Sequence, residues 1–159
     1  MIAGIDPGMT GAIAFLYDDP RERRLFVEDM PTLGKEINAV AVADLLREFP
    51  PDHVYLEAVN SFGMGRQSAF NFGQGVGVIK GVLAALVVPY TPVSPAKWKK
   101  HFSLGRDKDK ARAIATHLYP QCGAQFTRKK DHGRAEAALL AHWAKEIKSC
   151  ATRVPVIQS

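Results

Sequence analysis

The chain has 159 residues, 47% of them hydrophobic, and carries a formal net charge of +5. This length and composition predict one soluble domain with one hydrophobic core. No apolar run reaches membrane-spanning length, and Asp6 interrupts the apolar N-terminal stretch, which argues against a signal peptide. Cys122 and Cys150 have neither a metal-binding nor a disulfide-type spacing. We therefore expect a protein of a reducing cytoplasm.

The positive charge is concentrated in one segment. Residues 97–130 contain ten Lys and Arg and two acids, a net charge of +8, which leaves −3 for the rest of the chain. A localised basic surface of this kind is typical of proteins that bind a polyanion. Because Trp98 lies within the run Lys-Trp-Lys-Lys at 97–100, we favour a nucleic acid over a basic face that is merely solvated.

The elements follow from turns, caps and apolar spacing. Short apolar segments between Pro-Gly or charged turns predict strands, and Asn38 is a good N-cap for the helical pattern behind it. Three glycines four residues apart, Gly73, Gly77 and Gly81, indicate that a later helix closely approaches a sheet or another subunit. We predict strands over 2–6, 11–17, 24–30, 53–57 and 89–93, and helices over 38–49, 68–88, 107–119 and 133–148.

This order of elements predicts an α/β fold, with a mixed five-stranded sheet flanked by helices. The strand over 53–57 is flanked by helices and is therefore expected to be parallel and buried. We assign residues 1–150 to one domain and residues 151–159 to a flexible C-terminal tail.

Two of the predicted strands end on a carboxylate. Asp6 follows Ile-Ala-Gly-Ile and precedes Pro-Gly, and Glu57 follows Val-Tyr-Leu. A buried carboxylate without a partner is costly, so such an acid is either a turn cap or part of a functional site. Functional groups collect at the carboxyl ends of strands in α/β sheets, and neighbouring strands would bring Asp6 and Glu57 side by side.

A third acid lies on the inward face of the last helix. That face is predicted to contain Leu140, Trp143 and Ile147, and Glu136 lies one turn before Leu140. Asp131 and His132 precede the helix, and Asp131 is either an N-terminal cap or a further member of the acid group.

Inward carboxylates without a cysteine cluster select a hard cation, Mg²⁺ or Mn²⁺, with oxygen ligands. Beside a polyanion, such a site is suited to phosphodiester hydrolysis, in which two ions activate water and stabilise the leaving oxygen. The sequence contains no convincing Ser-His-Asp or Cys-His arrangement, which agrees with a reaction that uses water as the nucleophile.

Six segments together resemble the RuvC-like Holliday junction resolvases of the RNase H-like superfamily, particularly the compact phage and organellar type. They are GIDPG at 4–8, VYLE at 54–57, FGQG at 72–75, PAKWK at 95–99, DKDKA at 107–111 and GRAEA at 133–137. The resemblance implies an RNase H-like fold and a homodimer that cleaves four-way DNA junctions with two Mg²⁺ or Mn²⁺ ions per active site. By position, it implies that the catalytic metal ligands are Asp6, Glu57, Asp131 and Glu136, with His132 as a substitute or general base.

The resemblance also implies how DNA is bound. The loop after Glu57 would enter the junction, with Phe62 stacking at its centre. The implied DNA-binding residues are Asn60, Phe62, Arg66, Gln67, Lys97, Lys99, Lys100, Lys108, Lys110, Lys129 and Lys130.

Three other functions compete with a DNA junction endonuclease. An RNase of the YqgF type would use the same acids on RNA, and a junction-binding protein without catalysis would need no metal. The segment Asp-Pro-Gly-Met-Thr-Gly at 6–11 also looks like the first phosphate loop of sugar kinases and actin-like ATPases. Those enzymes need two such domains, which 159 residues do not provide.

Overall fold

A computed structural model describes residues 1–17, 24–58, 63–105 and 107–151 of the chain. The side chains of Lys108, Cys150 and Ala151 lie outside this description. In chain order the strands are β1 (Ile2–Asp6), β2 (Ala12–Leu16), β3 (Leu25–Asp29), β4 (Thr32–Leu33), β5 (Glu36–Ile37), β6 (His53–Glu57) and β7 (Tyr90–Val93). The helices are α1 (Ala39–Glu48), α2 (Arg66–Ala85), α3 (Pro95–His101), α4 (Lys108–Leu118) and α5 (His132–Ala151).

Five of the strands form one mixed sheet in the order β3-β2-β1-β6-β7. The first three strands pair antiparallel, because the turn between β1 and β2 is short enough for a hairpin. The β1–β6 and β6–β7 pairs are parallel, because helices carry the chain back between these strands. The predicted α/β fold with a mixed five-stranded sheet is confirmed, as is the parallel, buried strand that ends on Glu57.

The two faces of the sheet bury two separate cores. Along β1, Ile2 packs in the core that includes α5, whereas Ala3 and Ile5 pack in the core that includes α1 and α2. Side chains alternate between faces along a strand, so Asp6 is on the same face as Ile2. In β6, Tyr55 belongs to the α5 core, and Glu57 therefore points to that face as well.

Helix α5 lies directly on the sheet because small residues line its contact surface. Gly4 of β1 allows this approach, since a Cβ there would collide with the carbonyl oxygen of Ala137 and lie 2.7 Å from the backbone nitrogen of Ala141. The predicted inward stripe is only partly right: Leu140 is buried and Trp143 half-buried, but Ile147 is 40% exposed. The reason is that residues 146–149, in the last turns of the helix, face solvent.

Other features differ from the sequence predictions. The short β4–β5 hairpin, helix α3 and two 3-10 turns, over Pro120–Phe126 and Lys129–Asp131, were not predicted. Of the two alternatives for Gly73, Gly77 and Gly81, close approach to the sheet is wrong, because a Cβ at each would meet nothing within 4 Å, and close approach to another subunit stays a prediction. Within the described ranges, no helix has the length and apolar character needed to cross a membrane.

Candidate active site

Sheet register places the two strand-end acids next to each other. Ile5 of β1 is paired with Leu56 of β6, so Asp6 and Glu57 are adjacent positions on neighbouring parallel strands, about 5 Å apart along the sheet. Both side chains point to the α5 face. The predicted proximity of these two acids is confirmed.

Helix α5 adds the third acid, and helix α3 adds a lysine between the acids. The Nζ atom of Lys99 is 3.0 Å from Oε1 of Glu136 and 3.7 Å from Oε1 of Glu57. The Lys99 side chain is only partly exposed, because its ammonium is held beside Glu57 and Glu136 rather than in solvent. We call Asp6, Glu57, Glu136 and Lys99 the acid cluster.

The second contact to Glu57 comes from the preceding residue of α3. The indole Nε1 of Trp98 donates a hydrogen bond of 3.1 Å to Oε1 of Glu57. Trp98 is fully buried and Glu57 is 4% exposed. The ammonium of Lys99 also lies 5.0 Å from the centroid of the Trp98 ring, within the range of a cation–π contact.

The two strand-end carboxylates of the cluster, Asp6 and Glu57, resist ionisation. Burial, together with repulsion from Glu136, raises the pKa of Asp6 to about 6, against the lowering effects of the Gly8 N–H and Lys99. Burial and repulsion from Asp6 raise the pKa of Glu57 to about 7, against the lowering effects of Lys99 and Trp98. Burial alone would lower the pKa of Lys99, but Glu136 and Glu57 outweigh it and raise that pKa. The one ammonium of Lys99 is therefore too little positive charge to offset the burial and mutual repulsion that raise the pKa values of Asp6 and Glu57.

This charge deficit fits a divalent cation. Carboxylate oxygens from two strands and a helix converge on one face, and each would be stabilised in its ionised form by Mg²⁺ or Mn²⁺. In the described part of the chain, no three His, Cys, Asp or Glu are arranged to enclose a metal ion as they stand. Lys99, which lies between Glu57 and Glu136, provides a physical reason, because its ammonium takes up their oxygens.

Asp131 has a different environment from the other acids. Its buried carboxylate accepts hydrogen bonds from the backbone nitrogen, Nε and Nη2 of Arg128, at 2.8 to 3.2 Å. Burial acts to raise the pKa of Asp131, but these hydrogen bonds outweigh it and lower that pKa. Asp131 is the third residue of the 3-10 turn over Lys129–Asp131, and its carboxylate completes a capping box with Arg128 at the start of that turn. This is a cap of the turn and not the N-terminal cap of the last helix that the sequence left open.

His132 is the first residue of α5, the helix that packs on the sheet face to which Asp6 and Glu57 point. When its ring is protonated, His132 acts with Lys99 to lower the pKa of Asp6. Its Nδ1 is 3.3 Å from the carbonyl oxygen of Lys129. Of the two side chains proposed for the fourth ligand position, Asp131 is bonded to Arg128, whereas His132 is close enough to Asp6 to influence its pKa.

The predicted DNA-binding residues divide into three groups. Arg66, Lys97, Lys100, Lys129 and Lys130 are exposed and available to a polyanion. Lys99 is held within the acid cluster, Nζ of Lys110 donates to the carbonyl oxygen of Ser103 at 2.7 Å, and Nε2 of Gln67 donates to Oδ1 of Asn71 at 2.8 Å. Asn60, Phe62 and the side chain of Lys108 lie outside the described residues, so their predicted roles stay predictions.

Sequence reasoning assigned no role to Trp98 in the site and assigned Lys99 only to phosphate binding. A signal for both was present, because Pro95 is a favourable first residue for a helix and Trp98 is an apolar residue within a basic run. A short helix that buries its tryptophan must place the next residue, Lys99, along the edge of the core.

Comparison with known proteins supports the fold. No protein-family model matches the chain. The chain is 35% identical over 79 residues to the chloroplastic Holliday junction resolvase MOC1 of Chlamydomonas reinhardtii. This match covers 48% of the chain and only 8% of that relative.

Solved structures match almost the whole chain. RuvC of T. thermophilus in complex with a Holliday junction substrate has a TM-score of 0.69 and 19% sequence identity, covering 93% of this chain and 95% of that chain. The Fowlpox virus resolvase, in a complex with Holliday junction DNA, has a TM-score of 0.65 and 19% identity, covering 92% of this chain and 99% of that chain. The resemblance that the sequence indicated is confirmed, and the chain has the α/β fold of the RuvC-type Holliday junction resolvases.

Proposed function

We propose that this protein is a structure-specific endodeoxyribonuclease that resolves four-way DNA junctions by metal-dependent hydrolysis of phosphodiester bonds. The observation that carries the proposal is the acid cluster, in which Asp6, Glu57 and Glu136 converge from β1, β6 and α5. The fold shared with resolvases whose solved structures contain Holliday junction DNA supports the choice of substrate.

Asp6, Glu57 and Glu136 would hold the metal, and His132 is the favoured fourth ligand. Asp131 would become a ligand only if its hydrogen bonds with Arg128 were broken. Two Mg²⁺ or Mn²⁺ ions bound there would activate a water molecule and stabilise the leaving oxygen of the phosphodiester. The chain needs no nucleophile of its own for such a reaction.

Lys99 would have one role before the metal binds and another afterwards. Without a divalent ion, its ammonium partly neutralises Glu57 and Glu136 and so keeps the carboxylates close together. If these acids held a divalent ion, the Lys99 ammonium would no longer be needed to neutralise them and could contact a phosphate oxygen at the site. Lys99 thus belongs to the proposed catalytic residues rather than to the outer basic surface.

The exposed basic side chains would position the DNA. Lys97 and Lys100 are on the same short helix as Lys99. Lys129 and Lys130 precede α5, the helix that contains Glu136, so exposed lysines lie close in sequence to two members of the acid cluster. Contacts of this type fix the register of the DNA and carry no sequence information. Asn60 and Phe62 remain proposed as the junction-entering residues.

A homodimer is proposed through the exposed face of α2. Gly73, Gly77 and Gly81 have open space in place of a Cβ, and Phe70 on the same face is 68% exposed. Small residues allow a second helix to approach closely, and a two-fold dimer would present two active sites to the two strands of a symmetric junction.

The test is a substrate panel. Purified protein is incubated with synthetic four-way junctions, linear duplex and RNA hairpins in the presence of Mg²⁺, Mn²⁺ or EDTA. We expect metal-dependent nicking of the junctions only. Preferential cleavage of RNA hairpins would support the YqgF-type alternative, and tight junction binding without cleavage in any metal would support a non-catalytic junction-binding protein.

A further inference from the structure

The only polar atom of the Trp98 side chain, Nε1, donates its hydrogen bond to Glu57, a predicted metal ligand. Its ring is fully buried in the core that also contains Val93 and Tyr119, so the position of the indole is fixed by packing. A tryptophan side chain has one hydrogen-bond donor and no acceptor. That donor is directed at Oε1 of Glu57, at 3.1 Å.

The hydrogen bond from Trp98 to Oε1 restricts the direction in which the other carboxylate oxygen of Glu57, Oε2, can point. Oε1 receives the Trp98 N–H and lies 3.7 Å from Nζ of Lys99, so two consecutive residues of α3 act on the same atom. A carboxylate is planar, and fixing the direction of Oε1 therefore fixes the direction of Oε2. Without such contacts, the terminal torsion of a glutamate is broad and poorly defined.

We propose that Trp98 is a positioning residue: through its N–H it holds Glu57 in the orientation in which Glu57 binds the divalent metal. The proposal rests on the proposed function only in requiring that the acid cluster binds metal. It deepens that function by coupling the hydrophobic core under α3 to the metal site. Trp98 itself contacts neither metal nor DNA in this account.

The decisive variant is Trp98→Phe, which keeps an aromatic ring in the core and removes the donor. Loss of a partner that orients a metal ligand typically weakens metal affinity or activity by about 10- to 100-fold. We therefore expect the dissociation constant for Mn²⁺, measured by calorimetric titration of the full chain, to rise by about 10-fold or more. Junction binding in EDTA should stay within about two-fold of wild type, because the exposed lysines are untouched.

The matched control is Trp143→Phe, at the only other tryptophan of the chain. Trp143 is half-buried on α5 and makes an edge contact with Tyr55, with ring centroids 6.4 Å apart. The same loss of ring size there should leave Mn²⁺ affinity unchanged. In the Trp143→Phe protein, all tryptophan emission comes from Trp98, and we expect Mn²⁺ to change that emission as the acceptor of its hydrogen bond gains a metal.

The outcomes separate this inference from the proposed function. Weaker Mn²⁺ binding by Trp98→Phe, with unchanged binding by Trp143→Phe, supports the inference. If wild type cleaves junctions and Trp98→Phe binds Mn²⁺ as well as wild type does, the positioning role is overturned and the nuclease function stands. If Trp98→Phe does not fold, the emission of Trp98 in the Trp143→Phe protein decides: no response to saturating Mn²⁺ would overturn the inference.

Discussion

Replacement of Asp6 by asparagine should abolish cleavage and, at the same time, stabilise the protein when no divalent metal is present. Asp6 is an acid that the fold holds in an unfavourable place, since burial and Glu136 raise its pKa from 3.8 to about 6. Asparagine has nearly the same shape and can still accept the hydrogen bond from the Gly8 N–H, which is 3.3 Å from Oδ1 of Asp6.

The sign and size follow from proton linkage. Because the folded pKa is above the unfolded value, the folded state holds the proton more tightly, and stability is lost as pH rises from about 4 to about 6. A shift of this size corresponds to about 3 kcal/mol at neutral pH, as an upper figure. Neutralising Asp6 also removes its repulsion of Glu57, whose pKa of about 7 should fall. We expect a gain of about 1–3 kcal/mol, or roughly 2–4 °C in melting temperature per kcal/mol.

The assay is urea denaturation of wild type and Asp6→Asn in EDTA, at pH 7.5 and at pH 4. The variant should be more stable at pH 7.5, and this gain should shrink to about 0.5 kcal/mol at pH 4, where the folded state of wild type is almost fully protonated at this site and the unfolded state, with a pKa of 3.8, is about 40% protonated. Asp29→Asn is the opposite control: the pKa of Asp29 is lowered by its hydrogen bond with Arg134, so that substitution should not stabilise. Equal or lower stability of Asp6→Asn at pH 7.5 would refute the argument that the cluster is electrostatically strained.

Three further predictions concern other parts of the molecule. Gly4→Ala should lower the free energy of unfolding by about 1–3 kcal/mol, measured by urea denaturation, because its Cβ would meet the backbone of α5; an unchanged midpoint would contradict the close packing of β1 and α5. Lys99→Met should raise the pKa of Glu57 above 7, measured by carbon-13 NMR of the side-chain carboxyl in EDTA, because the ammonium lowers that pKa; a fall in the pKa would be contrary to this account. Lys97→Ala should reduce the slope of log junction affinity against log salt concentration by about one unit, because one phosphate contact is lost. The control Lys35→Ala, on the β4–β5 hairpin away from the 97–130 segment, should leave the slope unchanged. Equal effects of the two substitutions would show that Lys97 makes no specific phosphate contact.

The sequence was sufficient to predict the sheet and its strand-end acids. Ile2–Asp6 and His53–Glu57 were predicted with the bounds that the structure has, because each is an apolar run closed by a turn or by a helix signal. Asn38 caps α1 as expected, with its Oδ1 3.2 Å from the Ala41 nitrogen. Local patterns of this kind depend on a few neighbouring residues, and no distant contact changes them.

The site required information that no local pattern contains. Lys99 was expected to contact phosphate, but helix α3 places it against two acids that are 42 residues before it and 37 residues after it in the chain. Asp131 has the residue type and approximate position of a ligand, yet a neighbouring side chain, Arg128, takes its oxygens. Whether an acid such as Asp131 pairs with an arginine or faces a metal site depends on tertiary geometry, which spacing along the chain does not determine.

The most direct measurement is cleavage of a four-way junction labelled at the 5′ end of each strand, with wild-type protein and the Asp6→Asn variant. We predict that wild type, in Mg²⁺ or Mn²⁺, makes two nicks at symmetric positions on opposite strands and none in EDTA. The variant should bind the same junction and make no nick. Undiminished cleavage by Asp6→Asn, or nicking by wild type that persists in EDTA, would contradict a metal-dependent nuclease built on the acid cluster.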